Sequence, residues 1–576
     1  MLKKLFILCF GLQMHTHAQT IYQNAQVLDV NKMRVLNGFD VWVKDGKIEA
    51  VKRHSEKGNP VNYQLKDCSG QFIMPGMGDA HVHFFQSGSL FARPDALDLR
   101  KQHPYQQEIN WTHQNYTDLL SRYLAAGITH VIDVGATNRF LKKRDSVGKS
   151  HQLTNVWMTG PLLTTYLPAP FKNIGEDAPF VEMTSEAQAR ELVREQVKRN
   201  ADFIKIWYIV TDQDIEKGAR KNLPLIQAVI SEAHALNKRV AVHATERITA
   251  QLAVESGADF LVHSVDDEVI DANFVQLLKT HKVVLSPTLV VTENYNRVFG
   301  DYYHFTKEEL AMAHPEAVAT ILDYPWPDTT LAKTYIKYVS NAAAKERQHK
   351  ADSIAMANLK LLADAGVIIA TGTDAGNIGT QHASSYFIEL GAMKNAGLSN
   401  WQILQASTIN IAKAAGQEAS WGSIDAGKEA NFLLLSKNPL DTLTALSSIQ
   451  QIIHQGIAIK PDTLVKLTPE LLVQQQLNAY NAHDLEAFLQ PYSDSVEIYE
   501  LTGKLLSKGK EQMRKDYNFL TQMPNLYCKL VNRMVMGNTV VDHEEIWLTK
   551  KPKNLLYGIA IYEIEKGKIQ RVTFKQ

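Results

Sequence analysis

The chain has 576 residues, 45% hydrophobic and 21% charged, an ordinary globular composition with room for three or four domains and a sizeable core. Lys plus Arg and Asp plus Glu number 61 each, so no overall field draws in nucleic acid or an anionic membrane surface. The expected partner is a small molecule or a short peptide such as a dipeptide.

The chain opens with "MLKKLFILCFGLQMHTHAQT": a basic start at Lys3 and Lys4, an apolar run, and Thr16, His17 and Ala18 before Gln19. This layout predicts a secretory signal peptide over 1–18, too short to span a bilayer, and a secreted or periplasmic protein. Cys9 lies inside the apolar run rather than after it, which argues for cleavage over a lipid anchor. No later stretch is long enough for a transmembrane segment. The remaining cysteines, Cys68 and Cys528, are far apart, so export implies no disulfide scaffold.

Residues 19–75 read as short alternating strands, with Asp45-Gly46 suited to the positive φ angles of a type I′ hairpin. From 76 to 414 short Val- and Ile-rich runs ("ITHVIDVGA", "DFIKIWYIV", "RVAVHA", "DFLVHS", "VVLSP", "VIIATGTDAG") alternate with helix-like segments. About eight such repeats, counting "FIMPGMGDAHVHF", predict a closed (β/α)₈ barrel. About seventy residues between "VVLSPTLVV" and "VIIATGTD" exceed one crossover, and read either as a lid over the site or as extra outer helices. Residues 415–462 return to strands that could complete the first β layer. Residues 466–576 form a last α+β domain, opened by Thr468 as N-cap and Pro469 at the first helical position.

The chemistry sits at strand ends. His81 and His83 flank Val82, so both imidazoles point to one side of a strand and can share a divalent metal. HxH alone is weak, because hydrogen-bonded or surface histidines have the same spacing. His243 closes "RVAVHA", His263 closes "DFLVHS", and Asp374 in "TGTDAG" ends the last predicted strand, where a carboxylate can serve as ligand and general base. Lys205 lies within the apolar strand "DFIKIW", where an unpaired ammonium is costly. Three readings follow: a carbamate formed with CO₂ that bridges two metals, a lysine paired with a barrel carboxylate, or a Schiff-base lysine.

Taken together, "PGMGDAHVHF", "ADFIKIW", "VAVHA", "LVHS", "ATGTDAG" and "WGSIDAGKEANFLLLSKNPL" resemble the amidohydrolase superfamily, in its imidazolonepropionase-like and Xaa-Pro dipeptidase-like branch. The resemblance covers roughly 20 to 462. It implies a (β/α)₈ barrel with a small β-sandwich built from both flanks, and two divalent ions, expected to be zinc, with a carboxylated lysine. Carried over, His81, His83 and Asp374 would bind the first metal, His243 and His263 the second, and Lys205 would bridge. The implied reaction is amide hydrolysis by a metal-bridging hydroxide, with Asp374 as general acid and base. Dipeptidase-like relatives often follow the lysine with a glycine-rich stretch, and "WYIVTD" stands here instead. Tyr208 and Arg93 are candidate substrate contacts, against a packed tyrosine and a surface arginine. Gly422, Gly427 and Lys428 are architectural, and Glu389 is structural.

The last segment resembles the nuclear transport factor 2-like (SnoaL-like) fold, a curved sheet with a conical pocket, and implies a homodimer through this domain or ligand capture. Glu500 falls near the catalytic base position of the isomerases of that fold, and Gln476 stands where a tyrosine donor is expected, so catalysis there is not expected. The leading expectation is an exported metal-dependent amidohydrolase acting on a dipeptide, an N-acyl amino acid or a cyclic amide. The alternatives are a lyase or isomerase on the same barrel and a non-catalytic binding or assembly protein.

Overall fold

A computed structural model describes residues 19–55, 62–323, 325–548 and 555–575; the expected signal peptide over 1–18 lies outside them. No helix among the described residues is long and apolar enough to cross a membrane.

Alternation of apolar and polar residues builds the first layer. Strands Thr20–Asp29, Arg34–Lys44 and Lys47–Arg53 form an antiparallel meander. Its tight turn is Asp45-Gly46, with φ of 50° and 77°, the two positive values a type I′ turn needs. Phe72–Pro75 then pairs with Phe432–Leu435 from the far side of the barrel, so both flanks complete one eight-stranded sheet. Tyr22, Val27, Val41, Ile73, Phe432 and Leu434 fill its core.

The barrel strands are β1 (Met77–Val82), β2 (Ile128–Asp133), β3 (Asn155–Met158, continued by Leu162–Thr164), β4 (Ile204–Trp207), β5 (Val240–His243), β6 (Phe260–Val262), β7 (Val284–Ser286) and β8 (Ile368–Ile369). Neighbours pair in parallel. β3 pairs with β2 through its first half and with β4 through its second. The residues after β8 close the ring on β1: Ala80 N donates to Thr371 O, Asp374 N to His81 O and His83 N to Ala375 O, at 2.8, 2.7 and 2.9 Å. Asp79, fully buried, adds a side-chain stitch across this seam by accepting from Thr373 N and Thr373 Oγ1. A closed barrel leaves no sheet edge, and its strand ends bring residues from distant parts of the sequence to one mouth.

The insertion between β7 and β8 divides between the mouth and an interface with the C-terminal domain that was not expected. Helix Val291–Phe299 covers the mouth, whereas Lys307–Met312 and Pro315–Leu322 pack against the C-terminal domain. That domain is a six-stranded sheet preceded by helix Pro469–Asn481, whose N-cap Thr468 accepts from Leu471 N. Gln475 donates to Leu310 O and Ala311 O, and Asn478 donates to Pro315 O at 2.7 Å. The Gln475 amide thereby satisfies last-turn carbonyls that the short helix Lys307–Met312 cannot satisfy itself. Cys68 and Cys528 are both buried and free.

Candidate metal centre

At the C-terminal mouth of the barrel, period-two geometry sends His81 and His83 to the interior. Their Nε2 atoms are 3.1 Å apart, and Asp374 Oδ1 lies 3.2 Å from the first and 3.0 Å from the second. Among the described residues this carboxylate oxygen has no hydrogen-bond partner, although it is buried. His83 is aimed by Nδ1–H, which donates to Gly135 O at 3.2 Å. A Cβ at Gly135 would stand 2.8 Å from the same ring, so only glycine allows this approach.

The remaining residues stand beside this trio. The His263 ring centre is 4.9 Å from that of His81 and 4.4 Å from that of His243. Donor atoms of His81, His263 and Asp374 lie within 4.8 Å of one another. Lys205, 1% exposed, rises from β4 into the same cavity, and no hydrogen bond or ion pair engages it among the described residues. Burial lowers its pKa to about 7, opposed only by Asp374. Burial pushes Asp374 upward, but His81 and His83 outweigh this and hold the carboxyl well below the usual carboxylate range. Burial also pulls His81 down to about 4 and keeps His243 and His263 well below the ordinary histidine value.

These groups converge on one cavity, and imidazole nitrogens grouped with a carboxylate are the chemistry of a donor set for a divalent cation of the zinc type. Two site residues have left-handed backbones, His263 at φ 76° and Asp374 at φ 59°. Such conformations cost on the order of 1–3 kcal/mol each and cluster at functional sites.

The cavity holds about 420 Å³. Phe85, Phe180 and Trp207 form an aromatic arc along it. Opposing them is a polar group: Arg93 and Tyr295 both donate to Asn377 Oδ1 at 2.8 Å. Arg93 is not on the surface; it lines the cavity, and Asp95 binds its guanidinium through two oxygens at 2.7 and 2.5 Å. A larger cavity of about 620 Å³ lies between the barrel flank, the insertion and residues 461–465. The candidate metal ligands line the smaller cavity and not this one.

The structure brings His81, His83, Lys205, His243, His263, Asp374 and Arg93 together but excludes Tyr208. Tyr208 is fully buried and donates to Ala219 O at 2.5 Å, away from the cavity. The reason is strand phase: 205 and 207 share the inner side and 208 takes the other, so Trp207 is the residue at the mouth. Glu500 likewise lies at the rim of its domain, where it accepts from Thr502 Oγ1, and not in the interior. Gln476 is buried between Tyr492 and Tyr562. Asp79 and Trp207 were readable from the same two-residue phase as His81 and Lys205. Tyr295 carries no sequence signal, because only the tertiary fold brings the insertion to the mouth, and Asn377, three residues after Asp374, lies in an irregular segment with no period to place its side chain.

Comparison with known proteins agrees with this architecture. The sequence model of the Amidohydrolase family matches residues 72–459, and that of the SnoaL-like domain matches residues 473–572. An adenine deaminase from Ruegeria sp. strain TM1040 is 32% identical over 73 residues, which is 13% of this chain and only 12% of that enzyme. An imidazolonepropionase from Clostridium tetani is 21% identical over 471 residues, covering 74% of this chain and 92% of the relative. Among solved structures, a Xaa-Pro dipeptidase with methionine bound in its active site superposes with a TM-score of 0.55 at 20% identity. That match covers 77% of this chain and all of the other, and at this identity it speaks to fold alone.

Proposed function

The chain belongs to the amidohydrolase family, and from that premise we propose that it is an exported, two-metal hydrolase cleaving a carbon–nitrogen amide bond in a small substrate such as a dipeptide, an N-acyl amino acid or a cyclic amide. The observation that carries this reading is the convergence of six side chains from five barrel strands on one buried point. His81, His83 and Asp374 would hold one ion, and His243 and His263 the other. Lys205 would bridge them: its neutral amine adds CO₂, releasing one proton, and becomes an anionic carbamate.

Bound metals of this kind activate water and polarise a carbonyl. Asp374 then has the proton-handling role, taking the proton shed by the attacking water and delivering it to the leaving nitrogen. Because Asp95 neutralises Arg93, the polar wall offers the remaining N–H donors of Arg93 without net charge, while Asn377 already takes the Tyr295 hydroxyl hydrogen. That wall suits a carbonyl or carboxylate of the substrate, while the aromatic arc suits a flat or apolar side chain and keeps bulk water out. Export rests on the amino-terminal pattern. A homodimer through the C-terminal domain would use its outer sheet face, where Met534, Tyr557 and Ile559 are 61%, 59% and 45% exposed.

One further reading has its own support, since an unpaired lysine with a pKa near 7 is also a competent Schiff-base nucleophile. A panel of dipeptides, N-acyl amino acids and lactams, assayed with zinc-loaded, chelated and borohydride-treated enzyme, separates the two. Metal-dependent amine release from one class is expected. Absence of turnover with two ions bound, or inactivation by borohydride only when a carbonyl substrate is present, would contradict the hydrolase.

A further inference from the structure

Glu389 sits on helix Ser385–Asn395, fully buried, with no cation beside it among the described residues. Burial pushes its pKa up to about 8, so a residue needed only to fill space would be better served by an uncharged side chain. Both oxygens are engaged: Leu289 N donates to one at 3.0 Å and Val290 N to the other at 3.1 Å. These amides lead into helix Val291–Phe299, which has no side-chain cap of its own. The carboxyl group caps it from another element, its two oxygens accepting from amides that open the helix.

The clamped loop leads in two directions. Immediately before it, Thr288 is buried with φ of 48°, a left-handed conformation that a β-branched residue rarely adopts unaided. Its Oγ1 shares a 2.6 Å hydrogen bond with His263 Nδ1, leaving Nε2 as the free nitrogen of that ring. Immediately after it, the helix presents Tyr295 to the cavity and ties Asn294 to Thr380 Oγ1 at 3.2 Å. A hydroxyl on the far nitrogen of a metal-binding histidine fixes its tautomer and orientation.

We propose that Glu389 is a positioning residue for His263: by holding the amides of Leu289 and Val290 it keeps Thr288 in its strained conformation, and Thr288 fixes the imidazole ring. This rests on the reading of His263 as a metal ligand. The side chain expected from the sequence to be structural would then set the geometry of the centre from outside it, without touching substrate.

The test uses the full chain loaded with cobalt and compares wild type, Glu389→Gln, Thr288→Val, Thr288→Ser and the Glu389→Gln/Thr288→Val double variant. Glu389→Gln and Thr288→Val should each shift the visible cobalt absorption and lower kcat about 10- to 100-fold, with KM nearly unchanged. Thr288→Ser, which keeps the hydroxyl, should restore both. The double variant should be no worse than the poorer single, because both act on one route. Wild-type spectra and kcat in both singles, or fully additive losses in the double, would overturn the proposal while leaving the hydrolase intact. If Glu389→Gln does not fold, the Thr288→Val and Thr288→Ser pair decides, and a wild-type spectrum in Thr288→Val overturns the route. Failure of wild type to bind cobalt would overturn the metal reading itself and this proposal with it.

Discussion

The barrel mouth and the interior of the C-terminal domain both bury carboxylates, but they treat them in opposite ways. In the C-terminal domain the acids are consumed: Arg533 forks onto Asp542 at 2.7 and 2.6 Å, and Tyr562 Oη donates to Glu544. Gln476 closes the network between two tyrosines. At the barrel mouth Asp374 Oδ1 is orphaned, Lys205 is unengaged, and the histidine nitrogens face one another around a common point. Buried polar groups that are satisfied specify a fold, whereas those left unsatisfied in a native protein require another partner. On the proposed function the unsatisfied set is the reactive one, and the satisfied set holds the second domain's own interior together.

The largest expected effect comes from breaking the unsatisfied set. Asp374→Asn should lower kcat by about 10²–10⁴-fold, the usual contribution of a positioned acid or base, while thermal unfolding stays near that of wild type. Steady-state kinetics beside a melting curve check both halves. Breaking the satisfied set should give the reverse pattern. Arg533→Ala leaves Asp542 buried without its cation and should cost about 3–5 kcal/mol of stability, with kcat per folded molecule unchanged. Loss of turnover in the folded fraction would mean that the second domain takes part in the chemistry.

A smaller effect sharpens the contrast through pH. Burial, reinforced by Asp542, raises Glu544 from 4.5 to about 7. Between those values the native state binds more protons than the unfolded state, so this group's contribution is present below about pH 4.5 and fades as pH rises towards 7. The loss is about 3 kcal/mol. Glu544→Gln should remove that slope in urea titrations across the window, and an unchanged slope would show that the group does not titrate there. The smallest effect is Tyr208→Phe, which gives up one buried hydrogen bond, about 1 kcal/mol, and should leave kcat/KM alone.

What the sequence revealed follows from where periodicity is strict. Within β1 the two-residue phase set His81 and His83 on one side, Lys205 stood out as a lone cation in an apolar strand, and the same phase, applied to 207 and 208, selects Trp207 over Tyr208. The hairpin at Asp45-Gly46 and the cap at Thr468 were legible because their conformations depend on local residues alone. Thr288 and Tyr295 were not, since an insertion of several short helices has no period that says which of them returns to the mouth. The left-handed backbones of His263 and Asp374 were hidden too, because neither residue type demands a positive φ. Arg93 was open between a substrate contact and a surface residue, because nothing local in "FARPDALDLR" says that its guanidinium turns into the cavity.

The most direct measurement is the metal content of protein purified without chelator and equilibrated with bicarbonate, in wild type and Lys205→Ala. About two divalent ions per wild-type chain are expected, with a clear loss in the variant. Metal-replete wild type that retains no stoichiometric ion, or a Lys205→Ala chain that holds two as firmly, would contradict a centre bridged by residue 205.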